Sequence, residues 1–235
     1  MKVMAFEAHP DDIEYFCAGT LAKYKAAGHD VAIACVTNGE VGSPTLSKEE
    51  IAAVREKEAK ESADIIGAKF FWMGYPDEFL FNTEDVRLHI IETIRQFDPD
   101  IIITLDKDND YHPDHTNVGQ LIWDTHVMGV VPNIETETQP CSKIPEIYFM
   151  DTVAGIDFLP EFYVDISEHW QTKERMIECH ASQIQWSMRQ YEMSLVDDAK
   201  LQSRFRGYQS GCKYAEAFRK PKFFPQKTHS TGLLR

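Results

Sequence analysis

Short apolar runs alternate with helical patterns along the first half of the chain, and this alternation is the feature that most limits the fold. The runs are apolar at almost every position, which is typical of strands buried on both faces of a parallel sheet. They lie at Val3–Phe6, Val31–Val36, Lys69–Met73 and Ile101–Leu105. Parallel strands need long crossovers between them, and helices usually supply these. The sequence therefore predicts a Rossmann-like α/β fold: a mostly parallel sheet with helices on both faces and an active site at the carboxyl-terminal rim of the strands.

Residues that start and stop helices mark the crossovers. Gly28 suits the end of a helix, and Ser47 with Glu50 forms a capping box that opens one. The predicted helices run from about Tyr15 to Ala27, from Ser47 to about Ile66, from Asn82 or Thr83 to about Gln96, from Thr116 to about Met128, from about Glu168 to Trp186 and from Leu195 to Gly207. Two further strands are predicted at Ile147–Met150 and Phe162–Ile166.

The length of the chain fits one large domain. A chain of 235 residues can bury a sizeable core, and no composition shift marks a second unit. Residues 221–235 have little periodicity and several Lys or Arg. We expect a single domain over residues 1–220, followed by a tail or packing arm over residues 221–235.

Composition excludes several classes of partner. The formal net charge of −14 opposes sequence-independent binding to nucleic acid or to an anionic membrane, because both need clustered Lys and Arg. The five cysteines are scattered and include no C-x-x-C pair, which is typical of a reduced, cytoplasmic protein. The chain has neither an apolar segment of transmembrane length nor a visible signal peptide. A small-molecule or neutral glycan substrate fits better than a nucleic acid or an anionic membrane.

Two clusters of His, Pro and Asp follow the first and fourth predicted strands. The first is A-H-P-D-D-I-E at Ala8–Glu14, and the second is Y-H-P-D-H at Tyr111–His115. In a doubly wound sheet the loops after the strands line one rim, and the crevice lies where the strand order reverses. We place the fourth strand beside the first, which would bring His115 within reach of His9 and Asp12. The sequence thus predicts one divalent cation held by both loops.

A purely structural role for the first cluster is the alternative. Asp11 or Asp12 could cap the following helix, because Asp accepts hydrogen bonds from the free N–H groups of a helix start. The occurrence of a second such cluster after another strand favours the metal site.

A catalytic zinc site has three protein ligands and an open position for water. The predicted ligands are His9, Asp12 and His115. A water bound there would supply hydroxide at neutral pH. Asp11 would be the general base, and His112, held by Asp114, would stabilise the oxyanion. The set predicts hydrolysis of an amide or ester, with Zn²⁺ as the metal and Fe²⁺ or another divalent cation as an alternative.

These residues resemble the LmbE-like, or PIG-L, family of metal-dependent N-acetylglucosamine deacetylases, which includes enzymes of mycothiol and bacillithiol synthesis. The H-P-D-D and H-P-D-H motifs are the specific matches. The supporting matches are Thr37-x-Gly39-Glu40, Arg55-x-x-Glu58-x-x-x-Ser62, His180-x-Ser182-Gln183 and Gly211-x-x-Tyr214-Ala215-Glu216-x-Phe218. The resemblance implies a zinc-dependent hydrolase that removes the acetyl group from an N-acetylated amino sugar or its conjugate.

The resemblance also implies roles for two further residues. Arg55 would reach the substrate, and Tyr111 would border the pocket. Family members often assemble into oligomers, so the resemblance is compatible with a homo-oligomer. Residues 125–143 and 187–210 match no family pattern, and we expect them to set specificity.

Other interpretations remain open at this point. Arg55 could form a solvated pair on its helix face with Glu58. The acidic stretch Asp106–Asp110 motivates a two-metal phosphoesterase, although a solvated loop is the simpler explanation. A non-catalytic metal-binding or sugar-binding protein would keep the ligands but would have no need of Asp11. A dehydrogenase is disfavoured, since the first loop lacks G-x-G-x-x-G.

Overall fold

The computed structural model describes residues 1–222. Most of the predicted tail, 221–235, lies outside the described residues. The strands are β1 (Lys2–Glu7), β2 (Asp30–Thr37), β3 (Lys69–Tyr75), β4 (Ile101–Thr104), β5 (Glu146–Met150), β6 (Phe162–Asp165) and β7 (Ala215–Arg219). The α-helices are α1 (Asp12–Phe16), α2 (Ala18–Ala26), α3 (Lys48–Ile65), α4 (Glu84–Phe97), α5 (Pro113–Thr125), α6 (Trp170–Glu178), α7 (Ala181–Tyr191) and α8 (Leu195–Ser210). Short 3₁₀ helices span Met128–Val130 and Val153–Gly155.

The strands form one sheet in the order β3-β2-β1-β4-β5-β7-β6. Strands β3, β2, β1, β4 and β5 are parallel to one another, whereas β7 is antiparallel to both β5 and β6. The predicted α/β fold with a mostly parallel sheet is confirmed. Strand β1 pairs with β4 through Val3 and Ile101, so the strand order reverses between them, as the sequence predicted.

The core lies on both faces of the sheet. Side chains Val3 to Phe6 of β1 and Ile102 and Ile103 of β4 are fully buried. Helices α4 and α5 pack together, while α2 and α3 both pack on α6 as a second group. Within the described part of the chain, no helix is both long enough and apolar enough to cross a membrane.

The helix start at Ser47 was predicted correctly, whereas the start of α5 was not. The capping box at the start of α3 is formed: Ser47 accepts the N–H of Glu50, and the Glu50 carboxylate accepts the N–H of Ser47. Helix α5 begins at Pro113, three residues before the predicted start.

Three elements differ from the sequence prediction. The predicted helix from Tyr15 to Ala27 is two helices broken at Cys17, and the predicted helix from Glu168 to Trp186 is broken between Glu178 and Ala181. Strand β7 was not predicted. The break at Cys17 and β7 are connected, because the Glu216 carboxylate of β7 accepts the N–H groups of Gly19 and Thr20 at 2.9 and 2.7 Å and so caps the second helix.

Candidate metal and catalytic site

The loop after β1 is held by its own carboxylate. Oδ2 of Asp12 accepts the N–H groups of Ala8 and His9 at 3.1 and 2.8 Å. The Thr37 hydroxyl at the end of β2 donates to the Ala8 carbonyl at 2.8 Å. Asp11, at the sharpest point of the turn, has φ of 141° and ψ of −16°, a conformation that side-chain-bearing residues rarely adopt. The turn therefore presents His9, Asp11 and Asp12 together at the rim of the sheet.

The loop after β4 is held by Asp110 and by the start of α5. One oxygen of Asp110 accepts the N–H of His112 at 2.9 Å, and the other lies 3.0 Å from Nδ1 of His115. His112 caps α5, because its Nδ1 accepts the N–H of Asp114 at 3.3 Å. One helical turn separates His112 from His115, and their rings stack with centroids 4.7 Å apart.

The two loops meet at Asp12. Its Oδ1 lies 3.1 Å from Nε2 of His115, and its Oδ2 lies 3.5 Å from Nδ1 of His9. All three side chains are buried. The structure brings the three predicted ligands together from loops that are about a hundred residues apart in the chain.

The loop after β3 adds an acidic residue that the sequence analysis did not single out. Oδ1 of Asp77 lies 3.1 Å from Nε2 of His9, and Oδ2 of Asp114 lies 3.4 Å from the same nitrogen. Two sets of potential ligands within residues 1–222 have all their donor atoms within 4.8 Å of one another: His9 with His112 and His115, and His9 with Asp77 and Asp114. The position of Asp77 in the third polar loop of the same rim was the signal that could have identified it.

Two predicted contacts are not seen. The Asp114 carboxylate was expected to hold His112, but it accepts the N–H of Glu78 at 2.7 Å and faces His9. It points away because Asp114 lies in the first turn of α5, where its N–H, rather than its side chain, reaches His112. Tyr111 is 67% exposed and is not among the residues that line the adjoining chamber.

The site opens into a chamber of about 220 Å³. Its lining residues are His9, Asp11, Val41, Gly42, Arg55, Asp77, Glu78, His112, Gln183 and Trp186. Gln183 and Trp186 come from α7, which packs against α3 and completes the wall. The sequence analysis assigned no function to either residue of α7.

Arg55 is buried in the chamber wall, so the solvated helix-face alternative is wrong. It is 3% exposed and donates to the carbonyls of Gly39 at 3.2 Å and Pro10 at 3.0 Å. Its guanidinium also lies 3.4 Å from Oδ1 of Asp11. Gly39 has φ of +63°, and a Cβ there would lie 2.5 Å from the guanidinium, so both the backbone and the close approach require glycine.

Burial and neighbouring charges shift the pKa values of the clustered groups. Burial lowers the pKa of His115, but Asp12 and Asp110 outweigh it and raise that pKa to about 9. Burial opposes ionisation of Asp12, yet His115 and His9 hold its pKa well below the usual range. The pKa of Asp11 rises to about 6 through burial, with Arg55 opposing the rise and Asp12 adding to it. Burial and the charges of His9 and His115 lower the pKa of His112.

These residues fit a divalent cation. Nε2 of His9 is buried and forms no hydrogen bond, although two carboxylates lie near it. Imidazoles and carboxylates are ligands that zinc and iron(II) accept. A bound cation would replace the protons that His9 and His115 otherwise carry between these carboxylates.

The acidic stretch Asp106–Asp110 is occupied by internal partners. The Asp106 carboxylate pairs with the Arg219 guanidinium, and Asp108 pairs with both Arg219 and Lys107. Asp110 faces His115. These contacts leave no carboxylate pair of this stretch free for a second cation.

Known proteins resemble this chain in sequence and in fold. The family model described as "PIG-L: GlcNAc-PI de-N-acetylase" matches residues 4–126. The N,N'-diacetylchitobiose deacetylase of Pyrococcus horikoshii is 30% identical, with a TM-score of 0.82 over 93% of this chain and 82% of that one. A probable N-acetyl-alpha-D-glucosaminyl L-malate deacetylase of Bacillus anthracis is 28% identical over 74% of this chain and 78% of its own. The 4-carboxy-2-hydroxymuconate hydratase of Pseudomonas putida KT2440 shares the fold, with a TM-score of 0.83 over 97% of this chain and 98% of that one, at only 18% identity.

Proposed function

Because the chain belongs to the PIG-L family of de-N-acetylases, we propose that it removes the acetyl group from an N-acetylated amino sugar, free or conjugated, in a zinc-dependent reaction. The names of these relatives describe amidohydrolases that act on small N-acetylated sugars. The observation that carries the proposal is the position of Asp12 between His9 and His115, next to a chamber that Asp11 also lines.

We assign His9, Asp12 and His115 as the metal ligands. His112 is close enough to be considered, but its Nδ1 accepts the N–H of Asp114 and its Nε2 lies 3.3 Å from the Glu78 carboxylate. These residues would hold a divalent cation, which would lower the pKa of a coordinated water and polarise a carbonyl oxygen. Iron(II) would serve the same ligands.

Asp11 is the proposed general base. Its carboxylate lines the chamber but makes none of the contacts that hold the turn, so it is free to take a proton. A pKa of about 6 lets it exchange that proton near neutral pH, and Arg55 fixes its orientation. After the amide bond breaks, the same carboxyl group returns the proton to the leaving amine.

His112 is the proposed oxyanion-stabilising group. It lines the chamber, and its ring lies 4.6 Å from that of His9, centroid to centroid. Asp114 positions it through a backbone N–H and supports His9 with its carboxylate. Arg55 lines the same wall and would contact the substrate as well as Asp11.

An acetate-release assay tests the proposed function. Purified protein is incubated with a panel of N-acetylated sugars, with and without a chelator, and its metal content is counted. We expect acetate release that the chelator abolishes and added zinc restores, with about one metal per chain. Release that survives complete metal removal would contradict the metal's role. Two metals per chain together with phosphate-ester hydrolysis would support the phosphoesterase alternative, and metal binding without turnover would support a binding protein.

We also propose a single domain over residues 1–220, a cytoplasmic location, and no nucleic-acid or membrane partner. These rest on the sequence alone. Homo-oligomer formation is likewise a prediction, and sedimentation of the purified protein measures it directly.

A further inference from the structure

A second chamber adjoins the first. It has a volume of about 300 Å³ and lies between the β2–α3 loop, at residues 42–46, and one side of α7. Gly42 and Trp186 line both chambers, so the two are neighbours that meet at these residues. A group that extends from the first chamber past Trp186 or Gly42 would enter the second.

The volumes indicate that a complete substrate occupies both chambers. Binding sites for small molecules have volumes of roughly 300 to 1,000 Å³. The first chamber, at about 220 Å³, is below that range, whereas the two together are within it. The amino sugar and its acetyl group must lie beside Asp11 and the metal ligands. The second chamber is left for the group attached to the sugar.

The lining of the second chamber mixes apolar and polar side chains. Pro44, Leu46 and Ile51 are apolar, and Ser43, Thr45 and Gln185 add hydroxyl and amide groups. Trp186 is partly buried at the junction, and its indole offers an apolar face with an N–H at its edge. Such a lining fits an organic group that has both hydrocarbon and oxygen atoms.

Arg189 gives the second chamber its charge. Among the described residues that line it, Arg189 alone is charged. The side chain is exposed, and no carboxylate of residues 1–222 pairs with it. Four other arginines pair with carboxylates: Arg55 with Asp11, Arg87 with Asp124, Arg206 with Asp151 and Arg219 with Asp106. Arg175 and Arg204 are exposed like Arg189 and pair with no carboxylate of the described residues, but neither lines either of the two chambers. A free guanidinium binds two oxygens of one carboxylate or phosphate in a fixed geometry.

We propose that the second chamber binds the group attached to the amino sugar, and that Arg189 selects attached groups that carry a carboxylate or phosphate. This inference rests on the proposed deacetylase function. It makes Arg189 a specificity-determining residue without a part in the chemical step.

Matched N-acetylglucosamine derivatives test the inference. The methyl glycoside has no group for the second chamber, diacetylchitobiose has a neutral ring, the malate conjugate carries carboxylates, and the 1-phosphate carries a phosphate. We expect a lower KM for the malate conjugate than for the two neutral compounds. Arg189→Gln should raise that KM about five- to tenfold with kcat unchanged, and should leave the methyl glycoside unaffected. The phosphate compound shows whether the recognition extends to both kinds of acid.

Two controls separate recognition from a structural effect. Arg204→Gln removes one exposed arginine from α8 with the same change in net charge, and it should alter no KM. The preference for the malate conjugate should weaken at high salt, because screening acts on an exposed ion pair. A structural role for Arg189 would change all four substrates together and would not respond to salt.

A binding measurement makes the outcome independent of turnover. Calorimetry on zinc-loaded Asp11→Asn protein compares the malate conjugate with the methyl glycoside, with and without Arg189→Gln. If no substrate releases acetate but the malate conjugate still binds more tightly through Arg189, the proposed function fails and the subsite stands. Equal binding of the two ligands, or an equal loss for both in the Arg189 variant, would overturn the subsite.

Discussion

Asp11 combines a strained backbone with a buried carboxylate. Its φ of 141° is held from both sides, since Arg55 donates to the carbonyl of Pro10 and the Asp12 carboxylate binds the N–H groups of Ala8 and His9. Strain of this kind costs about 1 to 3 kcal/mol and persists where the surrounding structure imposes it. A residue kept in such a conformation at the wall of a chamber is a strong candidate for a chemical role.

Replacing Asp11 separates its backbone strain from its chemistry. Asp11→Gly and Asp11→Ala should both lose turnover by at least about a hundredfold, because each removes the proposed general base. The glycine variant should nevertheless be more stable than the alanine variant by about 1 kcal/mol, since glycine has no Cβ to clash at positive φ, and this relief outweighs its larger entropic cost. Urea unfolding of the two metal-free variants measures the difference. An alanine variant that is equally stable would mean that the backbone is not strained.

The raised pKa of Asp11 predicts that ionising this carboxyl group lowers the free energy of unfolding of the metal-free protein at neutral pH. A carboxyl group whose folded pKa is about 6 contributes stability below its ordinary pKa of 3.8 and loses that contribution as the pH rises through 6. The amide in Asp11→Asn does not titrate. The free energy of unfolding of this variant minus that of the parent should therefore be about 2 to 3 kcal/mol larger at pH 7.5 than at pH 3.5. The measurement is the free energy of unfolding of both proteins between about pH 3.5 and pH 7.5, in the presence of a chelator. A difference that stays constant with pH would show that Asp11 has an ordinary pKa.

At the scale of elements, β7 holds the break between α1 and α2 in place. The Glu216 carboxylate caps α2 and also pairs with Nζ of Lys173 from α6 at 2.7 Å. Lys173 donates in addition to the carbonyl of Tyr15 at 2.7 Å, near the end of α1. Both side chains of this pair are 1% exposed. The pair therefore ties the helix that carries Asp12 to the far end of the sheet.

Removing one partner of the Glu216–Lys173 pair should lower the free energy of unfolding more than replacing both partners. Glu216→Gln leaves a buried ammonium without its carboxylate, and we expect a loss of about 3 to 5 kcal/mol in free energy of unfolding. The double variant Glu216→Gln with Lys173→Met should recover part of that loss, because no unpaired charge remains. Glu61→Gln, which breaks an exposed pair with Lys57, is the matched control and should cost less than about 0.5 kcal/mol. A double variant no more stable than the single one would mean that the cap, rather than the charge, dominates.

These contacts explain which elements the sequence predicted and which it did not. The first four strands and the helix starts at Ser47 and Thr83 depend on neighbouring residues, so their patterns are local. The break at Cys17 depends on Glu216, about two hundred residues away, and no local pattern reveals it. Strand β7 has five residues and one charged side chain that points inward, which conceals the usual apolar run.

At the scale of the whole molecule, topology determines which residues could be found in advance. His9, Asp12 and His115 were predictable as neighbours because β1 and β4 start the two halves of the sheet, and their loops must meet. Asp77 could be placed only at the same rim, since its approach to His9 depends on how the β3 loop folds back. Trp186 could not be placed, since its position depends on how α7 packs beside α3. The orientation of Asp114 was mispredicted because helix geometry, rather than distance in the sequence, decides which of its atoms faces His112.

The meeting of remote loops makes the proposed metal a stabiliser of the whole fold. A ligand that binds only the folded state stabilises it, by about 2.7 kcal/mol when present at a hundred times its Kd. For a chain of this length, zinc at that excess should raise Tm by about 5 to 10 °C. The shift should shrink toward pH 5.5, where protons compete for the imidazoles. Calorimetry of the metal-free protein with added zinc measures it without any substrate.

Variants then assign the shift in Tm to individual residues. Asp11→Asn should keep it, because Asp11 is the proposed base and not a ligand, whereas Asp12→Asn and His115→Ala should lose it. His29→Ala removes a histidine near the amino terminus and should leave the shift intact. A shift that persists in His115→Ala but disappears in His112→Ala would move the third ligand to His112. That result would fit the proximity of His112 to His9, whose ligand atoms lie within 4.8 Å of each other, and it would leave the oxyanion without its proposed partner.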